Sequence, residues 1–162
     1  MRKLNKLILA GVLAALTAAM TASAVGAKNP PITFTGKYAG NATTVVDGNT
    51  VTISAKGSGT GTLLGAGTIT GQGTGDSSQQ PCVPFGGTGT IKGAAGSIVF
   101  KANPGASGCG DEGGHTFSVT ARLLVVQATG KLAKAKGTLK LTGTYSRDDG
   151  SFSVKVSGIL TR

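Results

Sequence analysis

The sequence predicts an all-β domain, a single antiparallel β-barrel of about eight strands, with a β-sandwich as the alternative. Three observations carry that prediction. Many segments alternate an apolar residue with Thr, Ser or Lys, the period of a strand with one dry and one wet face. Glycine-containing turn clusters separate these segments at short intervals. Apart from Lys131–Lys136, nothing after residue 27 repeats with a helical period. An open sheet would leave its apolar face in water, so the strands must close on themselves or stack as two layers.

The elements follow in order. Pro30-Pro31 ends an exposed lead-in, residues 25–31. Ile32, Phe34, Gly36 and Tyr38 then share one face, with Thr33, Thr35 and Lys37 on the other. Asp47-Gly48-Asn49 has the composition of a hairpin turn. Val51, Ile53 and Ala55 alternate with Thr and Ser. Residues 57–75 read as a Gly/Thr stretch, and 76–85 as a polar loop carrying Cys82. Strands near 86–92 and 96–102 flank Gly93-Ala94-Ala95, and 103–114 reads as a glycine-rich loop with Cys109. The longest strand is expected at about 115–127, with Phe117, Val119, Ala121, Leu123 and Val125 on one face and Arg122 on the polar one. Leu139, Leu141, Gly143 and Tyr145 form the next strand. Arg147-Asp148-Asp149-Gly150 is a tight turn, and Phe152 to Leu160 closes the chain.

The first residues read as an export leader. Arg2, Lys3 and Lys6 precede an apolar run from Leu7 to Leu16, and Ala22-Ser23-Ala24 is a small-residue cleavage site, with Ala27 as a second choice. An uncleaved anchor is the competing reading of 7–27. Cleavage after Ala24 would leave 138 residues, enough for one domain spanning 32–162, and would remove three cations from the net +10 to give +7. Glycine supplies 28 of the 162 residues, far above the average of about 7%. The interleaved Ile, Leu, Val and Phe place those glycines at turns and bends of strands.

Few residues can carry chemistry. Cys82 and Cys109, an even pair in an exported chain, are expected to form a disulfide; no CxxC spacing marks a redox or metal pair. The segment from Asp111 to His115 is the one polar cluster with catalytic potential, against the reading of a solvated loop. Arg122 is a surface charge if the polar face is outside, and an anion ligand if it turns inward. Tyr38 and Tyr145 fall on apolar faces, as core residues with hydroxyls at a rim. No metal-ligand spacing and no cofactor motif is present. Lys131, Lys134, Lys136 and Lys140 make the C-terminal region basic, fit for a polyanionic cell-surface polymer or for keeping strand edges apart. Nucleic acid is not expected, because no aromatic residues interleave with the cations.

Three segments share a pattern of Gly, one residue, Leu or Ile, a small-residue stretch, Gly, Thr or Ser, then Ile or Leu. They begin at Gly61, Gly89 and Gly130. The third, Thr129-Gly130-Lys131-Leu132-Ala133-Lys134-Ala135-Lys136-Gly137-Thr138-Leu139, with its strand, turn and final strand, resembles the C-terminal half of the allene oxide cyclase/dirigent-like barrels. Ala128 stands where that family has its first glycine and Leu132 where it has phenylalanine. The resemblance covers about 35 residues and implies a calycin-like eight-stranded antiparallel barrel with an apolar lumen. Dirigent-type chemistry uses acidic and arginine residues inside the barrel, and no strand here places an acid inward. The expected function is therefore a secreted, non-enzymatic binding barrel for a small apolar molecule or an extracellular partner. A cyclase-like enzyme steering a bound apolar substrate and a structural or adhesive surface protein are the alternatives.

Overall fold

The computed structural model describes residues 30–162. The expected leader and most of the lead-in lie outside the described residues. Nine strands follow: β1 (Ile32–Asp47), β2 (Thr50–Gly61), β3 (Gly65–Asp76), β4 (Cys82–Gly93), β5 (Gly96–Ala102), β6 (Ser107–Gly110), β7 (Thr116–Ala128), β8 (Lys136–Ser146) and β9 (Ser151–Thr161). All pairings are antiparallel. Each strand from β1 to β4 pairs with the next, as do β7 to β9, and β9 returns to β1 from Ile32↔Leu160 to Asn41↔Ser151. The short β5 and β6 are two halves of one stave, both lying between β4 and β7. The result is a closed eight-stave barrel with one stave in two pieces, in which pairing all round removes the exposed sheet edge.

Alternation fills the interior. Phe34, Ile91, Ile98, Leu139, Val156 and Leu160 are completely buried, and all lie toward the end where the β2–β3, β4–β5 and β7–β8 connections sit. Leu64 from the β2–β3 turn and Leu132 from a 3-10 turn, Gly130–Leu132, are buried with them and plug this closed end. The outer positions are mostly Thr, Ser and Lys. This apolar-in, polar-out order is the inverse of a barrel whose whole wall faces lipid. Among the described residues, no helix is long and apolar enough to cross a membrane.

The Gly/Thr stretch and both expected loops carry strand structure. The Gly/Thr stretch 57–75 is the end of β2, a turn and nearly all of β3, and its glycines occupy the inner positions while Thr and Ser point out. Glycine there is a matter of space. At Gly59, Gly73 and Gly87 an added Cβ would land on the carbonyl oxygens of Lys37, Gly86 and Gln72 on the neighbouring strands. The expected loop 103–114 contains β6, and the expected loop 76–85 already enters β4 at Cys82. Cys82 and Cys109 therefore sit directly opposite each other in paired strands, and they are joined as expected.

The three Gly-x-Leu segments all turn at the closed end. The first two are hairpins; the third runs through the 3-10 turn and docks on the second. Thr129 N–H donates to the Ser97 carbonyl at 2.9 Å and Lys131 N–H to the Ala95 carbonyl at 2.9 Å. Gly96 (φ +142°) and Gly130 (φ +61°) meet there back to back, and a Cβ on either would strike the other segment's backbone.

Steric exclusion at inner glycines predicts a position-dependent response to a single methyl group. Gly87→Ala should lower unfolding stability by about 1–3 kcal/mol through overpacking. Gly71→Ala should change it by less than about 1 kcal/mol, because the nearest atom to its added Cβ is the Thr88 carbonyl at 3.8 Å. Urea titration of both variants checks the contrast, and equal losses would contradict it.

Candidate functional site: the lumen and its mouth

At the end opposite the plug the barrel is hollow. A cavity of about 650 Å³ opens between the β1–β2, β3–β4, β6–β7 and β8–β9 connections. That size and its mainly apolar lining are those of a small-molecule pocket. One side is aromatic. Phe117, Tyr145 and Phe152 form a continuous cross-strand row on β7, β8 and β9, and the Phe117 and Tyr145 ring centres are 6.2 Å apart. Phe85 and Phe100 complete the aromatic lining. The other side is small: Ala55, Gly71 and Gly89 are register partners across β2, β3 and β4, and Gly73 pairs with Gly87. Glycine on these staves is what leaves the upper lumen empty.

Polar groups collect at the rim. The Thr44 and Tyr145 hydroxyls lie 3.5 Å apart, and Arg147 borders the opening. All six acidic residues of the chain are at this end: Asp47, Asp76, Asp111, Glu112, Asp148 and Asp149. Most are bound into the turns. Asp111 accepts the backbone N–H groups of His115 at 2.9 Å and Thr116 at 3.2 Å. Asp76 accepts from the Ser78 hydroxyl and N–H, and Asp149 from the Ser151 N–H. Donated hydrogen bonds favour the ionised carboxylate. Chiefly the Ser78 hydroxyl lowers Asp76, the His115 N–H lowers Asp111, and the Ser151 N–H lowers Asp149 below the usual carboxylate value. The stability these turns supply is present above that usual value and is lost as pH falls through the lower folded one.

His115 links two of the loops. Its Nδ1 is 2.8 Å from the Asp148 carboxylate on the β8–β9 turn, and its carbonyl accepts the Arg147 N–H at 2.8 Å. The hydrogen bond to Asp148, and then its charge, raise the imidazole above its ordinary value of 6.5. The pair is exposed to solvent and shows in titration more than in stability.

The expected site residues do not converge. Arg122 points outward, exposed, directly opposite Lys140. Tyr38 points inward but is buried below the cavity, with its ring end against Gly36 and Gly61, and burial raises its hydroxyl above the ordinary value. Asp111 and His115 are at the mouth, but Asp111 is spent on backbone N–H groups and the imidazole turns to Asp148, which the sequence showed only as part of a tight turn. Among the described residues no group of three or more His, Cys, Asp or Glu side chains converges as metal ligands would. Lys131, Lys134, Lys136 and Lys140 are exposed, the first three at the closed end. Tyr145 stands as expected with its hydroxyl at the rim, whereas Thr44 and the inner glycines of β3 are lumen residues that sequence reasoning passed over; strict alternation through the Gly/Thr stretch was the available signal.

No protein-family model, curated protein or solved structure matches this chain.

Two outcomes follow at the mouth. The His115 imidazole should titrate with a midpoint above about 6.5, and Asp148→Asn should bring it down to that value, as read by NMR of the ring protons. The sign is that of a cation gaining a partner: the contact is fully present below the unfolded value and fades as pH rises through the folded one. Replacing Cys82 and Cys109 together by serine should cost about 3.5 kcal/mol, from the loop-closure entropy of the separation of 27 residues. Denaturant unfolding measures it, and a loss under about 1 kcal/mol would show that β4 and β6 hold without the bridge.

Proposed function

We propose that this chain is an exported, non-enzymatic binding barrel that holds one uncharged, small apolar molecule in its lumen. The observation that carries the reading is the 650 Å³ cavity, open at one end, with aromatic rings on one side and glycine on the other. Burial of apolar ligand surface there contributes roughly 25 cal/mol per Å² before association costs. The Thr44 and Tyr145 hydroxyls at the rim suit a single polar end. Six carboxylates surround the opening against Arg147 and His115, so a ligand with a carboxylate or phosphate head meets repulsion.

Further features support the reading. A disulfide between opposed strands fits an oxidising compartment, in line with the leader-like N-terminus. The eight-stave antiparallel architecture agrees with kinship to the allene oxide cyclase/dirigent-like barrels. A cyclase-type role would ask for an acid or an arginine held inside; the titratable groups at the lumen are Tyr145 and Arg147, both at its rim, with Tyr38 beneath.

The test uses N-phenyl-1-naphthylamine, an uncharged probe that fluoresces in apolar surroundings. Saturable binding at one site per chain is expected. Gly71→Leu, whose side chain has room to enter the cavity, should abolish it while leaving the far-UV circular dichroism unchanged. A long-chain alcohol should displace the probe at lower concentration than the carboxylate of the same length. Probe binding that survives Gly71→Leu would place the site elsewhere, and better displacement by the carboxylate would overturn the charge argument.

A further inference from the structure

Apart from Val45 near the mouth, 66% exposed on β1, the outer wall breaks its own rule in one cluster. Leu124 and Val126 on β7 and Ile159 on β9 occupy outer positions where Thr, Ser and Lys prevail, and are 44%, 63% and 64% exposed. They are neighbours. Leu124 pairs with Thr138 on β8, and the Lys140↔Ser157 and Gly137↔Leu160 pairs on either side place Ile159 opposite that same Thr138. Val126 is the extra residue of the β-bulge between β7 and β5, one position beyond Val125.

Cations enclose this apolar group. Lys101 pairs directly with Leu124, and Arg122 with Lys140, one row toward the mouth. Lys136 opens β8 one row toward the closed end. Lys37 and Lys155 face each other farther along the same wall. Like charges directly opposite on a sheet destabilise the pair, and here that happens twice with no acidic side chain near, since all six are at the mouth. Among the described residues the one ion pair is His115 with Asp148, and none of them pairs a Lys or Arg with a carboxylate.

We infer that this wall, with Leu124, Val126 and Ile159 at its centre and Lys101, Arg122, Lys136 and Lys140 around them, docks on an anionic lipid surface. A polyanionic polymer would account for the cations but not for three exposed aliphatic side chains among them. A nucleic acid would ask for exposed aromatic rings, and those of this chain line the barrel interior. A headgroup layer takes both: phosphates meet the Lys and Arg side chains, and the aliphatic tips enter the boundary beneath. The cluster lies on the outer wall, on the closed-end side of the Arg122↔Lys140 pair, so docking here leaves the lumen's mouth uncovered.

The test is co-sedimentation of the purified chain with vesicles of phosphatidylcholine and phosphatidylglycerol at three to one, against phosphatidylcholine alone. Binding is expected to the mixed vesicles, not to the neutral ones, and to fall with added salt. Arg122→Gln with Lys140→Gln should lower the partition coefficient by about 25-fold, roughly fivefold for each cation. Leu124→Ser with Ile159→Ser should lower it as well, at constant charge and with unchanged probe binding in the lumen. Equal binding to neutral vesicles would overturn the inference. Full retention by the Leu124/Ile159 variant would also overturn it, leaving a polyanion surface in its place, and so would the absence of vesicle binding.

Discussion

Much of this barrel depends on one steric constraint: at several inner positions of β2, β3 and β4 there is no room for a Cβ. The carbonyl oxygens of adjacent strands fill that space at Gly59, Gly67, Gly73 and Gly87. Close approach on the concave side lets these three staves curl, and curling brings β3 round to β4 and β9 round to β1. The same constraint makes the upper lumen hollow. A wall of glycine contributes no side chains to fill the barrel, so the aromatic row of Phe117, Tyr145 and Phe152 faces open space rather than a packed partner. At the closed end the space is filled from other sources. Tyr38 lies across Gly36 and Gly61, and Leu64 and Leu132 fold in from the connections.

Charge follows from the fold by a related logic. Aspartate favours turns because its carboxylate accepts nearby backbone N–H groups. The turns at the mouth hold four of the six acids and Asp47 and Asp76 end the strands that lead into two others, with Asp76, Asp111 and Asp149 each bound to a local donor. Lysine has no such role and is spread over the wall and the closed end. The molecule is thus polarised along its axis without a single Lys or Arg ion pair among the described residues. The acids are engaged in holding loops, whereas the cations remain available to an anionic partner.

The fold was largely legible because alternation is a physical consequence of a one-sided sheet. β1, β7, β8 and β9 carry it in the ordinary alphabet, apolar against Thr, Ser or Lys, and can be read at sight. β2 and β3 carry the same period with glycine on the inner face, as in Gly71-Gln72-Gly73-Thr74-Gly75, where glycine suggests a loop to any reading based on hydrophobicity. The four-residue β6 has too few alternations to register. The site was less legible, since it depends on which loops share an end of the barrel. His115 and Asp148 are 33 positions apart, and strand register alone brings them together. Likewise, the proximity of Asp111 to His115 in sequence suggested a pair that the Asp111 backbone contacts preclude.

The stretch that best identifies the fold, residues 128–145, illustrates why resemblance and function separate here. Its first half is the lock of the closed end: Thr129 and Lys131 bind the β4–β5 hairpin, Gly130 faces Gly96 without room for a side chain, and Leu132 is completely buried. Each of these demands is set by backbone geometry and is indifferent to what the barrel holds. Only at Leu141, Thr144 and Tyr145, where β8 reaches the mouth, does the stretch line the cavity. A sequence can keep the lock and replace the lining residues without disturbing closure. Resemblance confined to the lock therefore speaks to architecture alone, while what the lumen could admit rests with the width left by Gly71, the aromatic row and the charge around the opening.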